Sequence, residues 1–170
     1  MSRSFEEVVL PHLDAACNLA RWLLRSPADA DDVVQESCLR ALRYLEGFRG
    51  GDSRAWLLKI VRNTSYTWLK RNRPAAEADE FDETVHSVDE REENVEIRLV
   101  AASEKEQLRQ ALEQLPAAMR EILVLREIEE LSYKEIAEVT GAPMGTVMSG
   151  LSRARQRLRE NLGAAAGKEA

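Results

Sequence analysis

Between Phe48 and Arg73 the chain interleaves aromatic rings with cations. Phe48, Trp56, Tyr66 and Trp68 alternate with Lys59, Arg62, Lys70, Arg71 and Arg73, and Asn63 stands among them. Ring faces beside cations suit single-stranded nucleic acid, because stacking contributes about 1–3 kcal/mol per base while cations hold the backbone. The Asn63 amide carries a donor and an acceptor side by side, the pattern that reads a base edge. Taken singly, Trp56 and Trp68 are better explained as core residues of a small three-helix domain; the signal lies in the combination.

A second constellation spans residues 131–162. Ser132 and Glu135 have the spacing of a capping box, in which hydroxyl and carboxylate satisfy free amides at a helix start. Ile136, Ala137 and Val139 then form the inner side of a short helix. Thr140, Gly141 and Ala142 supply a turn in which Gly141 can take positive φ, and Pro143 fits the first turn of a following helix, where no N–H is needed. Such a helix-turn-helix places its second helix in a major groove, with early residues at base edges and arginines at phosphates. Thr146, Ser149, Ser152 and Arg153 share one side of that second helix. Arg153 with Arg157, and Arg155 with Arg159, form two four-spaced basic pairs. Without the turn chemistry, the same residues would read as a solvated basic face.

A third set, Asp32, Gln35, Glu36, Arg40 and Arg43, lies on one helix whose apolar residues Val33, Val34, Leu39 and Leu42 are expected to face the core. By physical chemistry alone it is a solvated face of mixed charge.

The elements that must carry these residues follow from periodicity. Apolar residues recur at three and four spacing and almost nothing alternates, so the expected fold is all-α. One helix is predicted over residues 5–25, with Val8, Val9, Leu13, Ala16, Leu19, Ala20, Leu23 and Leu24 inward, ending before Ser26 and Pro27. A second is predicted from Asp29–Asp32 to about Leu45, with acidic residues at its positive end. Gly47, Gly50 and Gly51 break the chain, and a third helix runs over residues 53–73 to Pro74. Two small helical domains are expected: an N-terminal bundle over 1–75 and a four-helix unit with the helix-turn-helix over 107–162. An acidic linker over 76–106 joins them, and 163–170 form a tail.

The net charge of −6 looks wrong for a nucleic-acid binder until it is divided along the chain. Residues 1–75 carry 12 basic and 9 acidic residues, 76–106 carry 3 and 12, and 107–170 carry 9 and 9. The acidity therefore belongs to the linker, and local patches set the field that a phosphate backbone feels. No apolar run is long enough to span a membrane, and Arg3, Glu6 and Glu7 stand where a secretory signal needs an apolar core, so a cytoplasmic protein is expected. Cys17 and Cys38 read as buried, inert thiols, and His12 and His86 lack metal-ligand spacing. A glycine-rich phosphate loop and a Cys-His or Ser-His-Asp set are also missing. Neither an enzyme, a cofactor, a metal nor a small-molecule substrate is expected.

Four motifs together resemble a known family. They are Asp32-Val-Val-Gln-Glu36 followed by Leu39 and Arg40; Phe48-Arg-Gly-Gly with Ala55-Trp-Leu57 and Arg62-Asn63; Leu131-Ser-Tyr-Lys-Glu-Ile-Ala137; and Gly145-Thr-Val147 with Arg153-Ala-Arg155. In this order, across about residues 5–162, they are similar to the signatures of small extracytoplasmic-function (ECF) sigma factors, in which helical regions two and four are joined by a flexible linker. The resemblance implies that the chain binds core RNA polymerase, directs it to promoter DNA and helps to open it, with a separate anti-sigma protein as inhibitor.

It also assigns roles. Asp32, Gln35, Glu36 and Arg40 would dock on the β′ clamp helices. Asn63 would read the minus-ten element, flanked by Trp56, Lys59, Arg62 and Tyr66, with Lys70 and Arg71 on the backbone. Thr146, Ser149, Ser152, Arg153, Arg155 and Arg157 would read the minus-thirty-five duplex, and a neighbouring surface would meet the β flap. The acidic linker would thread the RNA exit path, and no further C-terminal domain is expected to add regulation. Met148 and Gly150 depart from the basic residues common in the family, and Ser152 from a bulky one, which bears on minus-thirty-five recognition. The competing reading is a stand-alone helix-turn-helix regulator of duplex DNA; it leaves the 48–73 segment and the Asp32–Glu36 face without a task.

Overall fold

The computed structural model of the chain describes residues 3–72 and 102–168, which are helical with no strand among them. The sequence of elements is α1 (Phe5–Val8), a 3-10 turn (Leu10–His12), α2 (Leu13–Leu24), α3 (Pro27–Tyr44), a 3-10 turn (Leu45–Gly47) and α4 (Ser53–Asn72). From residue 102 onward come α5 (Ala102–Glu113), α6 (Ala117–Leu123), a π-helical turn (Val124–Ile128), α7 (Tyr133–Thr140) and α8 (Met144–Lys168).

Residues 5–25 are not one helix as expected. Pro11 lies in the 3-10 turn that separates α1 from α2, since its ring and missing N–H do not fit a helix interior. Arg25 closes α2 in the left-handed conformation (φ 64°), and the Ser26 hydroxyl accepts from the Asp29 amide. With Pro27 in the first turn, α3 begins before the acidic residues expected to start it. Gly50 and Gly51 both adopt φ +92°, which redirects the chain into α4. Asp52 starts α4 by accepting from the Ala55 amide at 3.0 Å.

Helices α2, α3 and α4 pack on one another, and α3 contributes Ala30, Val33, Val34, Ser37 and Ala41 to the contact. This corrects the expected core: Leu39 and Leu42 are 60% and 55% exposed, because they fall off the 30-33-34-37-41 stripe. Cys17 and Cys38 are half-buried free thiols rather than buried ones, and burial raises the Cys38 pKa.

In the second half, Ile122, Leu123, Val124 and Leu125 are all buried, the last two as the opening residues of the widened π turn. α8 packs Val147, Leu151, Ala154 and Leu158 inward. The acidic stretch 74–94 lies outside the described residues, while 102–106, expected in the linker, belong to α5. The two helical groups also meet directly, with α4 against α7 and α2 against α6. Sequence periodicity, which is a property of one helix at a time, gave no indication of that seam.

Candidate nucleic-acid interface

Helix α4 buries Ala55, Leu57, Leu58, Val61, Thr64 and Ser65. The two buried hydroxyls are satisfied within the helix, Thr64 Oγ1 donating to the Ile60 carbonyl and Ser65 Oγ to the Val61 carbonyl, each at 2.7 Å. This phase leaves Trp56, Lys59, Asn63, Tyr66 and Lys70 in one outward stripe, spaced by three and four residues. Lys59, Asn63, Lys70 and Arg71 are exposed; Trp56, Arg62 and Tyr66 are half-buried. Phe48 supports Trp56 with ring centroids 5.1 Å apart. The Arg62 guanidinium lies 4.7 Å over the Tyr66 ring and donates weakly to Asn63 Oδ1 at 3.4 Å. Five of the seven residues of the sequence-predicted minus-ten set are thus brought together on one helix face, with Arg62 and Arg71 flanking it on either side.

Two of its members are engaged by a residue that sequence reading did not single out. Arg62 Nε donates to Glu121 Oε1 at 2.6 Å, and the Tyr66 hydroxyl donates to Glu121 Oε2 at 2.6 Å. Glu121 is 2% exposed. Burial pushes its carboxyl above the ordinary range, against the pull of Arg62 and Tyr66, and burial with the adjacent carboxylate pushes the Tyr66 phenol well up. A sequence signal was available, since Glu121 lies three residues after the buried Ala118 and four before the buried Leu125, on one helical face. A charge at a core position requires a partner. Arg120 is similarly buried and donates to the carbonyls of Leu115 and Leu23.

On α3, Asp32, Gln35 and Glu36 are exposed beside Leu39, Leu42 and Tyr44, so the outer face is mixed polar and apolar. Arg40 is half-buried and donates to Glu36 Oε1 at 3.2 Å and to Thr64 Oγ1 at 3.3 Å, which ties this face to α4.

The helix-turn-helix forms as its turn chemistry predicts. Ser132 and Glu135 close the capping box reciprocally, and Gly141 takes φ 74°. The Pro143 carbonyl accepts from Val147 N, so Pro143 caps α8 from just outside it rather than occupying its first turn. Thr146, Ser152 and Arg153 are half-buried and Arg157 is exposed. Two predicted readers are corrected. Ser149 is 1% exposed with its hydroxyl on the Thr146 carbonyl at 3.2 Å, and Arg155 is 7% exposed with two bonds to Glu127, at 2.9 and 3.2 Å. Both lie toward the packed side of α8, with Val147, Leu151 and Ala154, so the four-spaced basic pairing with Arg159 is not a surface feature. Among the described residues no helix is long and apolar enough to cross a membrane.

The chain matches the Sigma-70 region 2 family over residues 8–75 and the Sigma-70, region 4 family over residues 105–158. It is 34% identical over 164 residues to the ECF RNA polymerase sigma factor SigE of Mycolicibacterium smegmatis, covering 94% of this chain but only 62% of that protein. It is 34% identical over 161 residues to the ECF RNA polymerase sigma-E factor of Haemophilus influenzae, covering 85% of this chain and 79% of that protein. Its structure is similar to that of the sigma factor RpoE in complex with the anti-sigma factor NepR from Bartonella quintana, with TM-score 0.69, 30% identity, and coverage of 94% of this chain and 96% of the other. The sequence motifs, the two matched regions and the fold converge, and the chain belongs to the extracytoplasmic-function family of RNA polymerase sigma factors.

Proposed function

We propose that the chain binds core RNA polymerase in the cytoplasm, brings it to particular promoters and assists their opening, without an enzymatic activity of its own. Residues 1–75 would act as the polymerase-binding and minus-ten unit, and residues 107–162 as the minus-thirty-five unit. The observation that carries the reading is the outward stripe of α4, in which exposed Asn63 stands between ring-bearing Trp56 and Tyr66 and cationic Lys59 and Lys70. Rings hold unstacked bases, cations hold phosphates, and one amide selects. Arg62 and Arg71 extend the same surface.

The α3 face of Asp32, Gln35 and Glu36 is the proposed polymerase contact. Exposed Leu39 and Leu42 strengthen that assignment, because leucines at the centre of a polar face mark an interaction surface better than charges alone. Thr146, Ser152, Arg153 and Arg157 are proposed as the duplex readers on α8. An anti-sigma protein is proposed as inhibitor, because the similar RpoE structure holds one.

Size exclusion with purified core polymerase tests the proposal. Co-elution, and run-off transcription from a genomic template library, are expected. Failure to co-elute, combined with tight binding to duplex DNA by the chain alone, would favour the stand-alone regulator.

A further inference from the structure

Glu121 is a buried carboxylate whose hydrogen-bond partners, Arg62 and Tyr66, both come from the opposite half of the molecule. It does not act alone. Arg54 reaches across the same seam, Nη1 donating to the Glu129 carbonyl at 3.1 Å and Nη2 to Glu135 Oε2 at 3.2 Å. Asn18 donates to Glu129 Oε1 at 3.1 Å, Arg120 to the Leu23 carbonyl at 3.3 Å, and Arg25 to the Glu113 carbonyl. Glu135 is also the capping-box residue of α7, so the seam grips the helix-turn-helix itself. A cleft of about 180 Å³ separates Arg62 and Glu121 from Thr140, Gly141, Pro143 and Thr146. The turn and the start of α8 therefore face α4.

We infer that the chain closes on itself without a partner, α6 and α7 meeting α4 along its Arg62 and Tyr66 side, with the Glu121 carboxylate occupying the place of a DNA phosphate at Arg62 and Tyr66. The inference rests on the reading of α4 as the minus-ten helix. A carboxylate and a phosphate oxygen accept from a guanidinium and a phenol in the same way, with charge-assisted bonds near 2.7 Å. Strand and carboxylate thus compete for one pair of donors. In this arrangement a strand on α4 and a duplex at the first turn of α8 would both need the seam to part. Desolvating a carboxylate offsets much of what its ion pair returns, so parting the seam, which rehydrates both partners, costs less than unfolding either half.

The test uses the full chain and two single variants, Glu121→Ala and Arg54→Ala, with a short fluorescein-labelled single-stranded DNA of random sequence as the probe. Both variants are expected to bind it at least about fivefold more tightly than the native chain, the lower end of ordinary coupling between sites. Both should also show a larger radius of gyration in small-angle scattering. Arg54→Ala is the sharper variant, because it removes a cation: charge alone would make it bind DNA more weakly. Folded variants, judged by circular dichroism, that bind the probe no better than the native chain and keep its radius of gyration would overturn the inference. If Glu121→Ala fails to fold, Arg54→Ala decides. Run-off transcription by the native chain with core polymerase separates this outcome from a failure of the functional reading, which would abolish transcripts whatever the state of the seam.

Discussion

Asn63 is the residue on which base selection turns. Its side chain is exposed at the middle of the α4 stripe, and the long 3.4 Å hydrogen bond that it accepts from Arg62 holds it only weakly. Asn63→Ala should therefore leave the fold unchanged and cost discrimination at one minus-ten position, measured by run-off transcription across promoters bearing each base at every position. An unchanged preference would remove Asn63 from the role. His12 offers a separate test at the same scale. Its Nε2 lies 2.9 Å from Ser53 Oγ, and its pKa is lowered from 6.5 by burial first and the Arg54 cation second, with Asp52 pulling the other way. A base whose pKa is depressed on folding adds stability above its unfolded value, and that stability is lost as pH falls through the folded value. Melting temperature should accordingly decline as pH drops below about 6.5, and His12→Gln should flatten that decline; a parallel decline in the variant would clear His12.

The elements were mostly legible before the structure was known. The start of α4, the capping box at Ser132 and the turn at Gly141 follow from local chemistry, which a sequence states directly. Local reading failed where packing decided. Leu39 and Leu42 are apolar at helical spacing, yet α3 is held by smaller residues, and two large side chains are left on its outer face. Ser149 and Arg155 have the chemistry of DNA readers, but the phase of α8 is set by Val147, Leu151 and Ala154, which carries both toward the packed side. Two expectations belong to this scale. Gln35→Ala or Glu36→Ala should shift stability by less than about 0.5 kcal/mol while weakening association with core polymerase, read by titration of labelled polymerase; a large loss of stability would place the face inside the fold. Ser132→Ala removes the hydroxyl that caps α7 and should cost about 1 kcal/mol in denaturant unfolding. A change near zero would mean that packing of Ile136 and Val139 alone sets the helix start.

At the scale of the whole molecule, two regions that the family matches separately share buried polar contacts. Arg120 and Glu121 are each 2% exposed and each bonds to the first half, to Leu23 and to Arg62 and Tyr66. Unfolding either half alone would strand those groups. Calorimetry of the native chain should therefore show one transition whose van't Hoff and calorimetric enthalpies agree. Two separated transitions would mean that the seam contributes little. The pairing of Arg62 with Glu121 also has an evolutionary consequence. Position 62 cannot drift to suit a new promoter without leaving a carboxylate stranded, and position 121 cannot lose its acid without freeing an arginine. Across the family the two positions should change together, so a relative lacking the basic residue on α4 should also lack the acidic one on α6, although 59 residues of chain separate them.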